Sequence, residues 1–491
     1  MSDLLIQRLQ NPALYSHPVK YFKIIETHIS YVLLTGDYAY KIKKPLDMEF
    51  LDFSTLEKRK FYCHEEVRLN KRFSPELYID VLEITGSAEK PEWNGNNHIF
   101  EYAIQMREFP QNKLFTNLLK NNLLKSSYFI SLAEQLANSH QKAAVAKNDT
   151  RYGLPEQLFF PVQQNFDQIR PLLNDPKELK QLDLIEKWAQ EQYKLLKTVF
   201  LERKTKGFIR ECHGDLHLGN IVLYHDKPLI FDCLEFNLDL LWTDVMADVG
   251  FLVMDLQEKL QQNFAILFLN HYLAMTSDYA GLAVLKFYES YRAVVRAKIY
   301  LMQLQQVNTP ETKAFLKSAY LRSMQMAESY MINKKPQLFI MHGLSGSGKT
   351  TKAMLLAEKF NAIHLRSDVE RYHMMADLGE DKYSEKNRQK IYERLAELAK
   401  QVLHEGYSVI VDATFLLKSQ RDLFSEIGQY FQLPCQIAVC EADDNTRSQW
   451  LHERLENKQD FSEADITIAR QQQKQLELLS AEEQTRIVKI P

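Results

Sequence analysis

Cysteine is scarce in this chain, with five in 491 residues: Cys63, Cys212, Cys233, Cys435 and Cys440. They are scattered, odd in number and form no CxxC pair. That argues against a disulfide framework and against a structural zinc site. An excess of one charge is also missing. The 61 Lys and Arg face 64 Asp and Glu, a formal net charge of -3, which gives no general attraction to nucleic acid or anionic lipid. No run of about 18 apolar residues exists; FLVMDL at Phe251–Leu256 is interrupted by acids. The opening MSDLLIQRLQNPALYSHP lacks the basic start and apolar stretch of a leader. A reducing, cytoplasmic location is expected, with no membrane partner. Internal repeats and low-complexity tracts are absent as well.

What is present is enough chain for two to four folding units at ~100–200 residues each, in two distinct rhythms. THISYVLLTGDYAYKIKKP alternates and is rich in β-branched and aromatic residues, which predicts a hairpin turning at Gly36-Asp37. Ser54, with Glu57 three residues on, predicts a capping box for a helix carrying Glu65 and Glu66. HIFEYAIQMREFP predicts a further strand. Residues 1–110 thus read as strands with one helix, and residues 111–331 as mainly helical. The polar NKKP at Asn333–Pro336 marks a linker over 332–336. Beyond it, over 337–491, the apolar runs QLFIMHG, AIHLRSD, SVIVDAT, CQIAVCEA and TRIVKI alternate with helix-length segments. That rhythm predicts βαβ units and a doubly wound parallel sheet.

GLSGSGKT at Gly343–Thr350 is a full Walker A sequence between a strand and a helix. Gly343, Gly346 and Gly348 let the backbone of Leu344, Ser345 and Ser347 turn its N–H groups around phosphate oxygens. Lys349 reaches the β- and γ-phosphates, and the Thr350 hydroxyl suits Mg²⁺. The helix that follows turns its positive end to the anion. ATP or GTP with Mg²⁺ is therefore the expected cofactor. In VIVDAT, Asp412 ends the apolar run where a carboxylate supports the metal, or else caps the next helix. In LRSDVER, Asp368 lies at the carboxyl edge of the sheet with Arg371 three residues later. Asp368 suits acceptance of a hydroxyl proton and Arg371 suits an anion; a helix cap is the plain alternative for Asp368. This part resembles P-loop kinases of the polynucleotide kinase and zeta-toxin group. Arg447 and Arg454 lie seven apart on the helix after the fourth strand and share a face. The resemblance makes that helix lead into a lid, with Arg454 on the phosphate, and a solvated charged face is the plain alternative. Asn457 stands where another Arg is expected.

HGDLHLGN at His213–Asn220 is a second phosphate motif. Its H-G-D-x-x-x-x-N pattern sets Asp215 and Asn220 five residues apart, the acceptor-facing Asp and metal-binding Asn of kinase-type transfer. In LIFDC, Asp232 ends a strand twelve residues after Asn220, at the place of the second metal ligand. Here the chain resembles the aminoglycoside phosphotransferase and choline kinase family. The resemblance implies a bilobal protein-kinase-like fold over 1–331, with lobes of about 1–110 and 111–331. It makes Lys41 the phosphate-binding lysine, with Lys43 on the same strand face as the other candidate. Glu66, or its neighbour Glu65, becomes the ion-pair partner, and Met106–Phe109 the adenine hinge. Asp248 in DVMADVGFL becomes a support of the catalytic loop. A G-x-G-x-x-G loop is absent near the N-terminus, where only Gly36 is available.

The order of parts resembles a two-domain bacterial family described as bifunctional aminoglycoside phosphotransferase and ATP-binding protein. The expected function is transfer of the γ-phosphoryl of ATP to a hydroxyl of a small molecule, at two nucleotide sites. A single working P-loop kinase beside a nucleotide-sensing or binding module is one alternative. A nucleic-acid end kinase or zeta-like toxin is another, disfavoured because the last third has no basic run.

Overall fold

The computed structural model describes residues 2–48, 51–332, 334–375, 384–447, 449–450 and 472–490. Its contacts gather into two compact units, Met1–Asp255 with Tyr291–Met324 and Leu256–Ser290 with Gln325–Pro491.

The first unit begins with helix α1 (Ser2–Arg8) and strands β1 (Lys23–Glu26), β2 (Ser30–Leu34) and β3 (Tyr38–Lys43). Two short strands, β4 (Asp47–Met48) and β5 (Leu51–Asp52), lead to helix α2 (Leu56–Asn70). Strands β6 (Tyr78–Gly86), β7 (Pro91–Trp93) and β8 (Ile99–Arg107) complete an antiparallel sheet of order β1-β2-β3-β8-β6-β7. Alternation along β3 gives the sheet two apolar faces. Cys63 and Val67 of α2 pack on one, with Ala39, Tyr78 and Ile104. Leu5, Ile6 and Leu9 cover the other, with Leu33, Tyr40 and Ile42. The cap of α2 is Thr55, whose hydroxyl accepts from Lys58 N at 3.2 Å, and not Ser54 as the sequence predicts. Ser54 is held by Asp52 instead, its hydroxyl donating at 2.6 Å, so the helix starts one residue later.

A helical lobe follows, with α3 (Phe115–Lys120), α4 (Ser126–Lys142), α5 (Pro155–Ile169) and α6 (Pro176–Thr205). Strand β9 (Ile209–Glu211) precedes the hairpin β10 (Ile221–Tyr224) and β11 (Lys227–Ile230). After α7 (Leu238–Leu241), strand β12 (Trp242–Asp244) pairs with β9 and leads into α8 (Val245–Glu258). A sheet lobe joined to a helical lobe is the bilobal kinase-like architecture.

Helices α9 (Gln262–Thr276), α10 (Leu282–Gln306) and α11 (Pro310–Ser329) come before the parallel sheet. The sheet comprises β13 (Leu338–His342), β14 (Ile363–Arg366), β15 (Val409–Asp412) and β16 (Cys435–Val439) in the order β14-β15-β13-β16. Helices α12 (Lys349–Phe360) and α13 (Ser367–His373) follow its first two strands. The chain leaves β13 towards β14, then places β16 on the other side, so the loop after β13 lies at a topological switch point. TRIVKI does not add a full fifth strand. Helix Ala481–Gln484 ends just before it, leaving a single parallel bridge, Ile437 with Ile487, while Val488 and Ile490 pack on the Phe339 core.

The unit boundary differs from the linker at 332–336 for a specific reason. β14 is an edge strand, and α9 covers it. Asn270 Nδ2 donates to Ala362 O at 3.1 Å and its Oδ1 accepts from His364 N at 2.9 Å. The amide thus takes the place of a neighbouring strand. Residues 256–290 accordingly group with the parallel sheet. Among the described residues no helix is long and apolar enough to cross a membrane. All five cysteines are buried and unpaired. Replacing Asn270 by Leu removes both edge bonds, and a loss of about 1–2 kcal/mol is expected, read as a lower urea midpoint; an unchanged midpoint would show that the edge needs no partner.

Candidate active sites

In the first unit, Asp248 of α8 shapes the loop His213–Asn220. Its two carboxylate oxygens accept His213 N at 2.7 Å and Gly214 N at 2.8 Å. His140 of α4 reaches the same carboxylate at 3.2 Å. One heptad later on α8, Asp255 accepts Leu218 N at 2.9 Å. Burial opposes ionisation of Asp248, but the bonds from His140 and the loop hold its carboxyl below the ordinary range. Buried His213 is depressed by burial. It accepts from Asp215 N through Nδ1 and faces Phe231 O at 2.9 Å through Nε2, roles that suit the neutral ring.

This frame presents Asp215 beside Asn220, whose Nδ2 donates to Asp215 O at 2.9 Å and to Oδ2 at 3.1 Å. Those bonds leave the Asn220 Oδ1, the atom a cation uses, out of the pairing. His217 Nε2 lies 3.5 Å from Asp215 Oδ2. Burial raises the Asp215 carboxyl, but His217, His213 and Arg292 outweigh it and hold the group well below the ordinary range.

Facing this loop is a chain of paired charges, buried at Lys43, Glu66 and Glu235 and partly open at Lys41 and Asp232. Lys41 Nζ lies 2.7 Å from Glu66 Oε1 and 2.7 Å from Asp232 Oδ1. Lys43 Nζ lies 2.5 Å from Glu66 Oε2 and also bonds Glu235. Glu66 therefore bridges both strand lysines, whereas Glu65 turns to Arg68 at 2.7 Å. Asp232 sits just past β11 with φ +65°, which swings its side chain back to Lys41. Burial pushes Glu235 up, while the two lysines overcome burial at Glu66 and keep it down.

The Gly36 turn joins β2 to β3, the strand pair that carries Lys41, and its N–H groups are occupied. Thr35 N and Gly36 N donate to Glu108 Oε2 at 3.1 and 2.7 Å. The β1–β2 turn contains no glycine and closes on Thr27, whose hydroxyl accepts from Ser30 N at 2.9 Å. In the hinge stretch, Arg107 N and Glu108 N donate to Leu77 O and Asp37 O.

In the second unit the loop Gly343–Gly348 connects β13 to α12. Gly343 has φ +147°, and a Cβ there would meet Cys440 O at 2.2 Å, so only glycine fits. Gly346 and Gly348 also have positive φ, +80° and +76°. The buried Ser347 hydroxyl has no hydrogen-bond partner among the described residues. Lys349 Nζ donates to Leu344 O at 2.7 Å. Ser345 N donates to Gln472 Oε1 at 2.9 Å. Thr350 occupies the first turn of α12. A glycine cradle, an orphaned hydroxyl and a buried lysine fit a nucleoside polyphosphate with its magnesium ion. A cavity of about 610 Å³ opens beside the loop, lined by Leu344, Ser347, Cys440, Asp443 and Arg447.

Asp412 is buried at the end of β15 and lies 3.2 Å from His364 Nε2 on β14. Burial opposes its charge, but His364, Arg366 and Lys349 bring it down to about 2. Asp368 lies inside the first turn of α13 and pairs with Arg371 at 2.5 Å; the residue at the cap position is Arg366. Arg454 and Asn457 lie outside the described residues.

Several residues at these sites escaped sequence reasoning. Glu235 stands three residues after Asp232, an acid set among apolar neighbours in FDCLEF. That unusual placement was its only signal. His217, Arg292, His364 and Gln472 gave none, because their partners are distant in sequence or their types are common.

With the geometry in hand, the chain can be compared with known proteins. Residues 119–288 match the phosphotransferase enzyme family and residues 338–479 match an AAA domain. The uncharacterized protein Rv2004c of Mycobacterium tuberculosis is 28% identical over 412 residues, covering 82% of this chain and 80% of that protein. A choline/ethanolamine kinase family protein from Mesorhizobium loti is similar at 13% identity and TM-score 0.40, covering 67% of this chain and 99% of that one. The Mycobacterium tuberculosis APS kinase CysC is similar at 25% identity and TM-score 0.22, covering 25% of this chain and 73% of that one. The chain carries kinase-like phosphotransferase domains in the two-domain order described above.

Two outcomes follow from the charges. Glu66→Gln leaves two buried lysines short of a carboxylate, and a loss of about 3–5 kcal/mol is expected. Glu235→Gln keeps Glu66 in place and is expected to lose less; equal losses in denaturant unfolding would contradict the bridging role of Glu66. A carboxyl depressed from 3.8 to about 2 contributes about 2 kcal/mol, full above its ordinary value and lost as pH falls through the folded one. The stability gap between wild type and Asp412→Asn is thus expected to shrink as unfolding is measured from about pH 5 towards about pH 2.

Proposed function

We propose that this chain, which joins a phosphotransferase-family domain to a P-loop domain, transfers the γ-phosphoryl of ATP to hydroxyl groups of small molecules at two sites. The observation that carries the reading is the set of bonds in the first unit. Lys41 meets both Glu66 and Asp232, while Asn220 meets Asp215. Asn220 and Asp232 would hold magnesium there, and Lys41 the phosphates. Bound Mg²⁺ would neutralise charge on the transferring group.

Asp215 is ionised and partly open, with 38% of its side chain exposed. It accepts the hydrogen of the acceptor hydroxyl and so aims the oxygen. That oxygen bonds to the γ-phosphorus as the bond to the ADP oxygen breaks, and the proton passes to Asp215 and then to solvent. Such catalysis is mainly positioning and charge stabilisation.

In the second unit the amides of Leu344–Gly348, with Lys349, would hold the phosphates, and Thr350 with Asp412 the magnesium. Asp368 would receive the acceptor hydroxyl, with Arg371 binding an anionic group. Arg454 remains the proposed lid residue. The buried, unpaired cysteines support a cytoplasmic setting.

A second reading, in which the first unit only binds nucleotide, has one observation in its favour: Glu108 takes the Gly36 turn amides. Transfer of labelled phosphate from ATP separates the readings. Asp215→Asn and Asp368→Asn are each expected to remove one activity by about a hundredfold or more. Full activity of the folded double variant would sink the two-site proposal, and loss with Asp368→Asn alone would favour the second reading.

A further inference from the structure

Four arginines of the described chain are buried, and three have a carboxylate. Arg59 pairs with Glu101 at 2.9 Å, Arg203 with Asp244 at 2.6 Å, and Arg421 with Glu483 at 2.6 Å. Arg292, only 4% exposed, makes no ion pair and no hydrogen bond among the described residues, and its Nε is orphaned. A buried guanidinium with no ion-pair contact and no hydrogen bond is expensive to keep unless a ligand supplies them.

Its position says which ligand. The guanidinium carbon lies 4.8 Å from the Phe251 ring centroid and 5.1 Å from that of Tyr291. Phe251 packs edge-on against His217, with ring centroids 5.4 Å apart. His217 in turn lies 3.5 Å from Asp215. Two rings, Phe251 and His217, thus lie between Arg292 and the carboxylate proposed to face the acceptor, and the charge of Arg292 acts on Asp215. At the Tyr291 hydroxyl stands Asn165 of α5, buried at 2% exposure, whose side-chain amide faces that oxygen. Arg292 of α10 thus flanks the Asp215 site with an unpartnered donor, and the Asn165 amide of α5 lies beside it at the Tyr291 hydroxyl. The rings hold the guanidinium by cation–π contact without neutralising it.

We infer that the acceptor phosphorylated at Asp215 carries its own carboxylate or phosphate, bound by Arg292 with Asn165 beside it. This rests on the reading of Asp215 as the residue that receives the acceptor hydroxyl. A polycationic or quaternary-ammonium acceptor would bring its charge towards the guanidinium and is rejected.

The test uses the full chain with the second site silenced by Lys349→Ala and loaded with MgADP. Calorimetry is run with glycerol 3-phosphate, gluconate, glycerol, choline and kanamycin. At least one of the two anions is expected to bind at least about tenfold tighter than glycerol, and Arg292→Gln to remove about that tenfold with nucleotide affinity and melting temperature unchanged. Arg292→Lys, which keeps the charge, is expected to lose less. Preference for choline or kanamycin, anion binding indifferent to Arg292→Gln, or no anion binding at all would each overturn the inference. Transfer from MgATP is followed in parallel by phosphorus NMR. Anions bound through Arg292 but never phosphorylated would sink the transferase reading and leave the anion site standing. Transfer to a cation would do the reverse. Arg292→Gln slowing transfer to glycerol as much as to the anions would move Arg292 onto the transferred phosphoryl and overturn the inference too.

Discussion

The first unit depends on one carboxylate shared by two lysines. Glu66 has no exposed surface, and each of its oxygens takes one of Lys41 and Lys43. Each lysine then reaches one further acid, Asp232 or Glu235, beyond the β11 hairpin. Helix α2, strand β3 and the turn after β11 are thereby fixed by charge to a common point. Charges removed from water are tolerated only when each has its partner in place. The network thus ties the position of Asp232 to correct packing of α2 on the sheet. Misplacement of any one element would strand the charges of the others.

Under the proposed function the two units would hold phosphate with different materials. In the second, the groups in place are backbone N–H donors of a glycine loop, with Lys349 and a helix end beside them. In the first, the glycine turn is occupied by Glu108, and the cations sit on side chains of a strand. A backbone cradle is dictated by local sequence. A side-chain cradle needs residues from several distant segments.

That contrast explains what the sequence made legible. GLSGSGKT could be read directly, since its glycines answer to local φ angles and a close approach to Cys440. The spacing of Asp215 and Asn220 was also local, five residues across one tight loop. Near-continuous apolar runs announced β13 and β15, which are buried along their whole length. The choice between Lys41 and Lys43 was not local, and the structure gives both lysines to Glu66. TRIVKI had the composition of a strand but only one bridge's worth of partner. The start of α2 turned on which of two adjacent hydroxyls met Lys58 N, and neighbouring Asp52 decided it. Arg292 was invisible because its distinguishing property is the lack of a hydrogen bond or ion pair among the described residues.

Asn270 has a consequence for how such a chain could have been assembled. A parallel sheet with a bare edge invites a foreign strand, and here the plug for that edge is encoded some ninety residues upstream, as the sequence separation of Asn270 and His364 attests. The segment that looks like a self-sufficient module, from β13 onward, therefore does not carry its own edge protection. Moving only that stretch into another chain would transplant an adhesive sheet edge along with the glycine loop. Helix α9 would have to travel with it for the edge to stay closed.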